Sequence, residues 1–501
     1  MKLSEFLQNL SETRTQVTGQ ILETEILGIT ADTREVQPGF IFVAIRGTQV
    51  DGHDWIPSAL EKGAAFVVGE DLNKLKNYDA TLTGFQGRWI HSASARQTLQ
   101  ALAQKFYADP SSKLFSVGVT GTNGKTSITY MLEQVFNACG IPMGVLGTID
   151  HHFKAKVWPS GMTTPDPVSL QKRLREMKDD GARAVAMEVS SHALDQFRAD
   201  GVHFNTAIFS NLTRDHLDYH KNMQEYFAAK QRLFTDLLWQ TAKPFPWAIV
   251  NADDEWGRRL RVAGPAGVWT YGQGKADFQF EILKLDFGRT DFELKTPYLK
   301  LKTSIPMSGL HNVYNAVAVI AAATTALISP LKSAETLAQF SGVPGRMQVV
   351  PNSRSLNVFV DYAHSPDALE NVLRSLQSVR KISSTHSQIW TIFGCGGDRD
   401  KGKRPLMAEV AARLSDQVMI TSDNPRTEDP SLILSEIEKG FVSGQKYQKE
   451  VDRKKAILKV IEQARPHDVI LIAGKGHEDY QIIGQEKFHF SDVEVVKEFL
   501  G

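Results

Sequence analysis

The sequence predicts an α/β fold in three domains, and three observations support this prediction. Apolar runs with strand character alternate with helical patterns through much of the chain, as in parallel sheets covered by helices. Turn-rich stretches at 108–114 and 341–350 divide the 501 residues into blocks of domain size. A glycine turn joins an apolar strand to a helix at 117–136. We therefore expect domains at residues 1–112, 113–345 and 346–501.

The composition is that of a globular protein, with 42% hydrophobic and 23% charged residues. Lys plus Arg and Asp plus Glu balance at 57 each, so no global charge favours a nucleic acid or an anionic membrane as partner. The longest apolar run, at 316–328, is too short and alanine-rich for a membrane span. The two cysteines lie outside any CxxC pair, and the N-terminus is too polar for a signal peptide. We expect a cytoplasmic protein that does not insert into membranes.

The first block contains short apolar runs, "GFIFVAIRG" (39–47) and "AAFVVGE" (64–70), which are separated by polar turns. Runs of this kind predict strands of a small α/β domain. The stretch "ADPSSKL" (108–114) carries a proline and two serines and is typical of a linker. It separates this domain from the second block.

The second block opens with "LFSVGVTGTNGKTSITYMLEQVF", an apolar strand, a glycine turn and a helix. The strict phosphate-loop pattern is not met, because Val119 occupies the position of its first glycine. The turn still offers backbone N–H groups and a helix N-terminus to a phosphate. We expect Lys125 to contact the β- and γ-phosphates of ATP and Thr126 to help bind Mg²⁺. The alternative is an ordinary glycine-rich turn with a surface lysine. The predicted loop comprises Gly121, Thr122, Asn123, Gly124, Lys125, Thr126 and Ser127.

A carboxylate, Glu188, ends the apolar strand of "AMEVSSHALDQFR" (186–198). Magnesium prefers oxygen donors, so Glu188 is a candidate metal ligand; the alternative is an ordinary polar residue at a strand end. The "SSH" tripeptide in this segment lacks the G-x-S-x-G elbow, which argues against a serine hydrolase. We therefore expect a P-loop-type, mononucleotide-binding parallel sheet in the central domain.

The third block repeats the alternation of strands and helices, which predicts a Rossmann-like α/β domain. Its apolar runs each end in turn residues, where ligands gather in open α/β sheets. The runs are "NVFVDYAH", "QIWTIFGCGG", "DQVMITSDNP" and "DVILIAGKG". Arg346, at the boundary to this block, is expected to reach ATP when the domains close. The alternative for Arg346 is an interdomain salt bridge.

The segment "TGTNGKT" (120–126) resembles the nucleotide loop of the Mur ligases, ATP-dependent amide-bond-forming enzymes of bacterial cell-wall synthesis. Folylpolyglutamate synthetases share this variant of the loop. The order of the further motifs resembles the Mur ligases throughout all three blocks. The resemblance implies an N-terminal UDP-binding domain, a central ATP-binding and catalytic domain, and a C-terminal amino-acid-binding domain.

In the central domain, "FSNLTRDHLDYH" (209–220) resembles the family segment whose histidine, here His216, binds a second magnesium. The helical segment "YFAAKQRLF" (226–234) resembles the one that carries a carbamylated lysine, here Lys230. Periodicity alone favours a solvated helix lysine at this position. A lysine reacts with CO₂ only when its amine is neutral. This requires that burial or nearby cations depress its pKa. The implied metal ligands are Thr126, Glu188, His216 and N6-carboxylated Lys230, and the implied catalytic residues are Lys125, Glu188, His216 and Lys230.

The segment "MTTPDP" (162–167) resembles the family loop that holds the nucleotide-linked muramoyl peptide. The implied contacts to this substrate are Thr163, Thr164, Ser190 and Arg198, with Thr33 and Arg34 in the UDP-binding domain. His311 and Asn312 of "SGLHNVYNAVAV" (308–319) resemble residues that face the ATP nucleotide.

The segment "TSDNPRTEDP" (421–430) bears on which amino acid is added. Diaminopimelate carries one more carboxylate than lysine, and the planar guanidinium of Arg426 suits that group. Diaminopimelate-adding members of the family carry this DNPR motif, whereas lysine-adding members depart at the arginine. The alternative is a type I turn with a solvated arginine. The implied pocket comprises Arg399, Asp423, Asn424, Arg426, Gly474 and Glu478.

The resemblance thus implies a monomeric, ATP-dependent ligase that joins meso-2,6-diaminopimelate to the D-glutamate of UDP-N-acetylmuramoyl-L-alanyl-D-glutamate through an acyl phosphate. Three alternatives stand beside it: a sibling ligase that adds lysine, a folate polyglutamylase, and a non-catalytic scaffold of the same fold. The DNPR loop and the long N-terminal block argue against the first two. The intact set of Lys125, Glu188, His216 and Lys230 argues against the third.

Overall fold

The computed structural model describes residues 2–7, 14–15, 23–47, 50–217, 219–383 and 387–501. The chain forms two compact units, Met1–Thr270 with Ala322–Ile328 and Tyr271–Ala321 with Ser329–Gly501. The first unit holds the predicted N-terminal domain and most of the predicted central domain. The predicted boundary near residue 345 therefore does not coincide with the division between the units, and the three-domain boundaries stay a prediction.

The N-terminal part of the first unit is a five-stranded sheet. Its strands are β1 (Arg14–Thr15), β2 (Gly28–Thr30), β3 (Phe40–Ala44), β4 (Phe66–Gly69) and β5 (Trp89–His91). The order is β1-β5-β4-β3-β2, with only β1 antiparallel to its neighbour. The helices are α1 (Leu3–Leu7), α2 (Ile56–Glu61), α3 (Leu72–Thr81) and α4 (Ala95–Phe106). Both faces of the central strands are buried, which explains their continuous apolar runs.

The predicted linker at 108–114 forms a short 3₁₀ helix, Pro110–Lys113, rather than an extended connection. Ser111 is buried in it. Lys243 Nζ donates hydrogen bonds to the carbonyl oxygens of Ser112 and Leu114, at 2.8 and 2.7 Å. These bonds hold the connection against the second sheet of the same unit.

The second sheet of this unit contains the predicted phosphate-loop strand at its centre. Its strands are β6 (Phe115–Thr120), β7 (Met143–Leu146), β8 (Asp150–Phe153), β9 (Lys156–Pro159), β10 (Ala184–Glu188), β11 (Thr206–Phe209) and β12 (Trp247–Asn251). The parallel part has the order β12-β11-β6-β10-β7, and β8 and β9 continue it as an antiparallel hairpin. The chain order reverses at β6, which is where open α/β sheets bind ligands.

Helices connect these strands, as the sequence predicts for a parallel sheet. They are α5 (Lys125–Ala138), α6 (Pro167–Asp179), α7 (Ser191–Asp195), α8 (Met223–Arg232), α9 (Leu238–Gln240) and α10 (Glu255–Arg259). A π-helical turn, Leu233–Leu237, continues α8. The predicted helix at 226–234 is thus confirmed as far as Arg232 and then widens into the π turn.

The chain passes between the units within β13 (Gly267–Gly272), within α11 (Leu310–Thr325) and after Ile328. The second unit begins with the antiparallel strands β14 (Phe278–Asp286), β15 (Arg289–Lys295) and β16 (Lys300–Ile305), followed after α11 by α12 (Pro330–Leu337). The apolar run at 316–328 lies mainly in α11, where its valine and isoleucine side chains are buried. None of the described helices is both long and apolar enough to span a membrane.

The rest of the second unit is a six-stranded sheet. Its strands are β17 (Gln348–Val350), β18 (Asn357–Asp361), β19 (Ile389–Phe393), β20 (Gln417–Ile420), β21 (Gln448–Lys449) and β22 (Val469–Ala473). The order is β17-β18-β22-β19-β20-β21, and only β17 is antiparallel. The hairpin β23 (Tyr480–Ile483) and β24 (Glu486–His489) follows. The helices are α13 (Pro366–Ser383), α14 (Lys403–Leu414), α15 (Pro430–Glu438), α16 (Arg453–Gln463) and α17 (Asp492–Leu500). All four predicted strands of this block are confirmed.

Candidate functional site

The predicted phosphate loop lies between the end of β6 and the start of α5. Gly121 and Gly124 have φ angles of 144° and 90°, a backbone region that favours glycine. A Cβ atom on Gly121 would lie 2.0 Å from Ser210 Oγ, so only glycine fits there. The Ser210 hydroxyl, just after β11, donates to the Asn123 carbonyl at 2.6 Å. The loop is thus a tight turn at a helix N-terminus, the geometry that binds anions.

Two lysines bind the same carbonyl group of this loop. Lys125 Nζ donates to the carbonyl oxygens of Gly121 and Thr122, at 3.0 and 2.8 Å. Lys230 Nζ, from α8, donates to the Gly121 carbonyl at 2.9 Å across 109 positions of sequence. The two lysines predicted for catalysis therefore meet at the loop.

Lys230 is buried, with 1% of its surface exposed, so the solvated lysine favoured by periodicity alone is wrong. Its ammonium group lies 4.6 Å from the centre of the Tyr226 ring. Desolvation, together with the positive charge of Lys125, holds the pKa of Lys230 well below its ordinary value, despite the opposing charge of Asp215. Burial and a neighbouring cation, the two conditions for a neutral and CO₂-reactive amine, are both present.

Glu188 ends β10 and is almost completely buried. It lies opposite Val119 of β6, two residues before the loop begins. Thr148 donates to both carboxylate oxygens, from its backbone N at 2.9 Å and its hydroxyl at 3.0 Å. The Thr148 hydroxyl is also 3.1 Å from that of Thr163. Each carboxylate oxygen keeps a further lone pair, so this geometry suits a metal ligand.

Thr164, Ser190 and Arg198, predicted to bind the muramoyl peptide, also meet at this strand end. The Thr164 hydroxyl donates to the Glu188 carbonyl at 2.8 Å and accepts from Ser190 N at 3.0 Å. Arg198 Nη1 donates to the Thr164 carbonyl at 3.3 Å. Burial lowers the pKa of Arg198, although an arginine stays charged at neutral pH. Together with Thr163, these residues form one cluster beside the predicted metal ligand.

Tyr226 connects the remaining predicted residues of the central domain to the loop. Its hydroxyl lies 3.2 Å from the Thr122 hydroxyl, and its ring lies 5.8 Å from that of His216. His216 has a φ angle of 54° and a side chain that is 42% exposed. Its Nε2 atom is 3.5 Å from Asp215 Oδ2. His216 is thus brought near the loop with its side chain partly exposed.

The donor chemistry of this region fits magnesium. Among the described residues, no group of three or more His, Cys, Asp or Glu side chains is arranged to hold a metal. The predicted set supplies two such side chains, Glu188 and His216, with the hydroxyl of Thr126. A carbamate on Lys230 would add two oxygen atoms to it. Most of these donors are the hard oxygens that Mg²⁺ prefers.

Thr33 and Arg34 make their contacts within the N-terminal sheet region. Arg34 Nε donates to Asp32 Oδ1 at 2.9 Å, and the arginine side chain is 87% exposed. The hydrogen bond and charge of Arg34 hold the pKa of the Asp32 carboxyl below its usual range, against a smaller effect of burial. The Thr33 carbonyl accepts from Lys62 Nζ at 2.8 Å. A role in UDP binding stays a prediction for both residues.

The predicted amino-acid pocket lies at the carboxyl ends of β20 and β22 in the second unit. Asn424 Nδ2 donates to Glu478 Oε2 at 3.0 Å. A Cβ atom on Gly474, whose φ angle is 118°, would lie 3.3 Å from Asp423 Oδ2. Asp423 and Asn424 are both buried. The structure therefore brings these four predicted residues together from two loops.

Arg426 is held in the same loop with a φ angle of 51°, a left-handed conformation that is unfavourable for arginine. Its backbone N donates to the Ile482 carbonyl at 3.1 Å, and its Nη1 donates to the Gly397 carbonyl at 2.7 Å. A Cβ atom on Gly396 would lie 3.0 Å from Arg426 Nη1 and 3.7 Å from Arg399 Cγ. Both predicted arginines thus flank this glycine. Arg426 is half-buried, unlike the solvated arginine of the alternative interpretation.

A lysine that the sequence did not single out completes this pocket. Lys475 follows Gly474 and is fully buried. Its Nζ atom lies 3.1 Å from Asn424 Oδ1, 3.4 Å from Asp423 Oδ1 and 3.5 Å from Glu478 Oε2. A lysine between two glycines at a strand end was a signal that could have identified it. Thr148, Ser210 and Tyr226 were also missed, and because their partners lie far along the chain, local sequence carried no signal for them.

The residues predicted to face the ATP nucleotide from the second unit differ in their surroundings. Asn312 is buried, and its Nδ2 atom donates to the Ser308 carbonyl at 2.8 Å. His311 is exposed at the start of α11. The guanidinium of Arg346 lies 5.2 Å from the Tyr362 ring, and its buried Nε has no hydrogen-bond partner in the described part of the chain. That Arg346 donor can bind a ligand atom, and the hydrogen bond of Asn312 to Ser308 holds its side chain at the start of α11.

Three family models match the chain. They are described as Mur ligase family, catalytic domain, at residues 25–107; Mur ligase middle domain, at 119–323; and Mur ligase, glutamate ligase domain, at 345–476. The three matched stretches follow one another along most of the sequence.

Curated relatives resemble the chain over its whole length. The UDP-N-acetylmuramoyl-L-alanyl-D-glutamate–2,6-diaminopimelate ligase of Geobacter metallireducens is 42% identical, over 95% of this chain and 94% of its own. The protein of the same name from Clostridioides difficile is 41% identical over 100% of both chains. A solved structure described by that name is 32% identical, with a TM-score of 0.71, and covers 100% of this chain and 98% of its own.

Proposed function

The chain belongs to the Mur ligase family, and on that premise we propose that it adds meso-2,6-diaminopimelate to UDP-N-acetylmuramoyl-L-alanyl-D-glutamate. Relatives whose names carry both substrates are 40–42% identical over nearly the whole chain. The protein is then an ATP-dependent, ADP-forming amide ligase of peptidoglycan precursor synthesis. We also propose that it acts in the cytoplasm, where ATP is available as a substrate.

The observation that carries this proposal is the position of Lys230. A fully buried lysine with a depressed pKa, bonded to the phosphate loop and lying beside Lys125, is costly unless it has a chemical use. Carbamylation adds CO₂ to the neutral amine, releases one proton, and leaves an anionic carbamate whose oxygen atoms can bind a metal. A non-catalytic scaffold would have no need of such a group.

We assign the first step to the phosphate loop. Backbone N–H groups at the start of α5 and the Lys125 ammonium bind the phosphates of ATP. Thr164, Ser190 and Arg198 orient the muramoyl peptide so that a glutamate carboxylate oxygen faces the γ-phosphorus. The new P–O bond forms as the bond to ADP breaks, which yields an acyl phosphate. Positioning and charge neutralisation account for most of the catalysis.

Magnesium would be held by Thr126, Glu188, His216 and the carbamate on Lys230. When bound, the ion neutralises charge on the transferring phosphoryl group. Thr148 fixes the Glu188 carboxylate through two hydrogen bonds, so that its remaining lone pairs point in a defined direction.

We assign the second step to the pocket of the second unit. A neutral amine of diaminopimelate attacks the acyl carbon, phosphate leaves, and the nitrogen loses a proton. Glu478 accepts from the distal ammonium, while Arg426 and Arg399 pair with the distal carboxylate. Lysine lacks that carboxylate and would leave the arginine charge unpaired, which discriminates against it.

The domain organisation follows the same proposal. We assign UDP binding, with Thr33 and Arg34, to residues 1–112, catalysis to 113–345 and amino-acid binding to 346–501. The three stretches matched by the family models support this division. His311, Asn312 and Arg346 are assigned to the ATP nucleotide, and the unpaired Nε donor of Arg346 supports its part in this.

The test is ADP release in the presence of ATP, Mg²⁺ and the UDP-linked dipeptide, with a panel of acceptor amines. We expect turnover with meso-diaminopimelate and little with lysine. Arg426→Ala should lower kcat/KM for diaminopimelate by about 100-fold or more, since truncating a charged partner costs roughly 3 kcal/mol. The variant should leave the lower kcat/KM for lysine nearly unchanged.

Equal turnover of lysine and diaminopimelate by the wild-type protein would favour the lysine-adding alternative. Folded protein without turnover of any acceptor would favour the scaffold. An Arg426→Ala variant that keeps the wild-type preference would contradict the role given to this arginine.

A further inference from the structure

A fully buried ion pair lies directly beneath the amino-acid pocket. Arg453 begins α16 and Asp492 begins α17, and both side chains are 0% exposed. The guanidinium binds the carboxylate through two hydrogen bonds, Nε to Oδ1 and Nη2 to Oδ2, each 2.7 Å long. This bidentate pairing fixes the orientation of the arginine plane.

The remaining donors of Arg453 reach two backbone carbonyls. Nη2 donates to the Ala473 carbonyl at 3.1 Å, and Nη1 donates to the Ser422 carbonyl at 3.4 Å. Ser422 immediately precedes Asp423, and Ala473 immediately precedes Gly474. Arg453 therefore binds the backbone carbonyl of the residue that immediately precedes each of the two pocket loops.

Backbone hydrogen bonds between neighbouring strands do not join β20 directly to β22. In the sheet, β19 lies between β20 and β22, so the strands that carry the two loops are not paired with each other. The guanidinium spans the intervening strand at the carboxyl end of the sheet. The distance between the loop of Asp423 and the loop of Gly474 and Glu478 thus depends on the Arg453 side chain as well as on the sheet.

We propose that Arg453, held by Asp492, is a positioning residue that sets the spacing of the two pocket loops and thereby the affinity and selectivity for the acceptor amino acid. This inference rests on the function proposed above, because it takes the pocket to be the diaminopimelate site. Arg453 acts through Asp423, Asn424 and Glu478 and itself touches no substrate. Its effect belongs to acceptor binding rather than to ATP binding.

The physical reason is the sensitivity of a polar pocket to small displacements. A shift of about 1 Å in a positioning contact can lower a rate by roughly 100-fold. Asn424 Nδ2 lies 3.0 Å from Glu478 Oε2, and the two residues belong to different loops. A small change in loop spacing therefore alters hydrogen bonds to the ammonium and the carboxylate of the acceptor together.

Two variants test this proposal. Arg453→Lys keeps the charge but removes the planar fork that joins Asp492 to the two carbonyls. The double variant Arg453→Met with Asp492→Leu replaces the pair by apolar side chains of similar size, a change that folded proteins often tolerate. Arg380→Lys is the matched control, because Arg380 pairs with Asp416 at the opposite, amino ends of the same sheet.

The measurements are kcat, the KM of each substrate, the ratio of diaminopimelate to lysine turnover, and thermal unfolding. We expect both Arg453 variants to raise the KM for diaminopimelate by about tenfold or more and to reduce selectivity. The KM values for ATP and the UDP-linked dipeptide should stay within about twofold, and the control should behave as the wild type.

A folded double variant with wild-type KM and selectivity for diaminopimelate would overturn the proposal and leave the pair a structural one. If the double variant does not fold, the same result for Arg453→Lys decides the matter. A similar rise in the KM of all three substrates would also contradict it. Wild-type protein that does not use diaminopimelate would instead refute the proposed function.

Discussion

At the scale of single residues, Lys230 shows how burial changes the chemistry of a side chain. A lysine in water is protonated at neutral pH and does not react with CO₂. Burial and the charge of Lys125 lower the pKa of Lys230 and favour the neutral, nucleophilic amine. The position in the fold, and not the residue type, therefore determines its reactivity.

We predict that Lys230→Arg lowers kcat by about 100-fold or more, because a guanidinium stays charged and cannot carry a carbamate. Wild-type protein equilibrated with ¹³C-bicarbonate should give a carbamate carbon signal that the variant lacks. Lys221→Arg, an exposed lysine of the same segment, is the control and should keep both signal and activity. Active wild-type protein without the signal would exclude the carbamate.

At the scale of elements, His152 joins the phosphate-loop helix to the hairpin beside it. Its Nδ1 atom lies 2.6 Å from Asp150 Oδ1 on β8, and its Nε2 atom lies 3.0 Å from Glu133 Oε2 on α5. Burial alone would lower the pKa of this imidazole. The hydrogen bonds and charges of the two carboxylates outweigh burial and raise the pKa of His152 to about 9.

The raised pKa predicts a pH-dependent contribution to stability. Since the folded-state pKa lies above the unfolded value near 6.5, this contribution is complete below about pH 6.5 and is lost as the pH rises through about 9. We expect His152→Gln to reduce the free energy of unfolding by the order of 2 kcal/mol more at pH 6.5 than at pH 9.5. Urea unfolding at both pH values measures this. If the wild type and His152→Gln differed in their free energy of unfolding by the same amount at both pH values, the charged His152 would not stabilise the fold.

Among these elements, the strands and the loops after them could be predicted from the sequence, whereas the contacts between them could not. Runs such as "LFSVGV", "DQVMI" and "DVILIAG" are buried on both faces of parallel sheets, so their continuous apolar character identified them as strands. The loops after these strands were located for the same reason. The contacts within the site join residues far apart in sequence, as with Thr148 and Glu188 or Arg453 and Asp492. No local pattern encodes such pairs, since they arise only when the strands have taken their order in the sheet.

At the scale of the whole molecule, each described cluster lies within one compact unit. The phosphate loop, Lys230 and Glu188 belong to the first unit, and the pocket around Asn424 belongs to the second. The net charge is zero, so the whole protein has no excess charge of one sign that acts on both clusters. Each is expected to respond to substitution on its own.

We predict that Mg²⁺–ADP stabilises the wild-type protein and the Arg426→Ala variant to the same extent. A ligand at 100 times its Kd adds about 2.7 kcal/mol to stability. Lys125→Ala, which removes a cation from the phosphate loop, should abolish most of the shift. Thermal unfolding with and without nucleotide measures both effects. A loss of the shift in Arg426→Ala would show that the pocket is coupled to nucleotide binding.

The left-handed backbone at Arg426 has a consequence for directed evolution. An arginine in this conformation lowers stability by about 1–2 kcal/mol relative to a residue that tolerates it. Glycine or asparagine there would relax the strain and discard the guanidinium in the same mutation. With the role that we propose for this guanidinium, a library selected only for heat resistance would drift towards promiscuous enzymes, and selective pressure for a single acceptor would be needed to retain the strained residue.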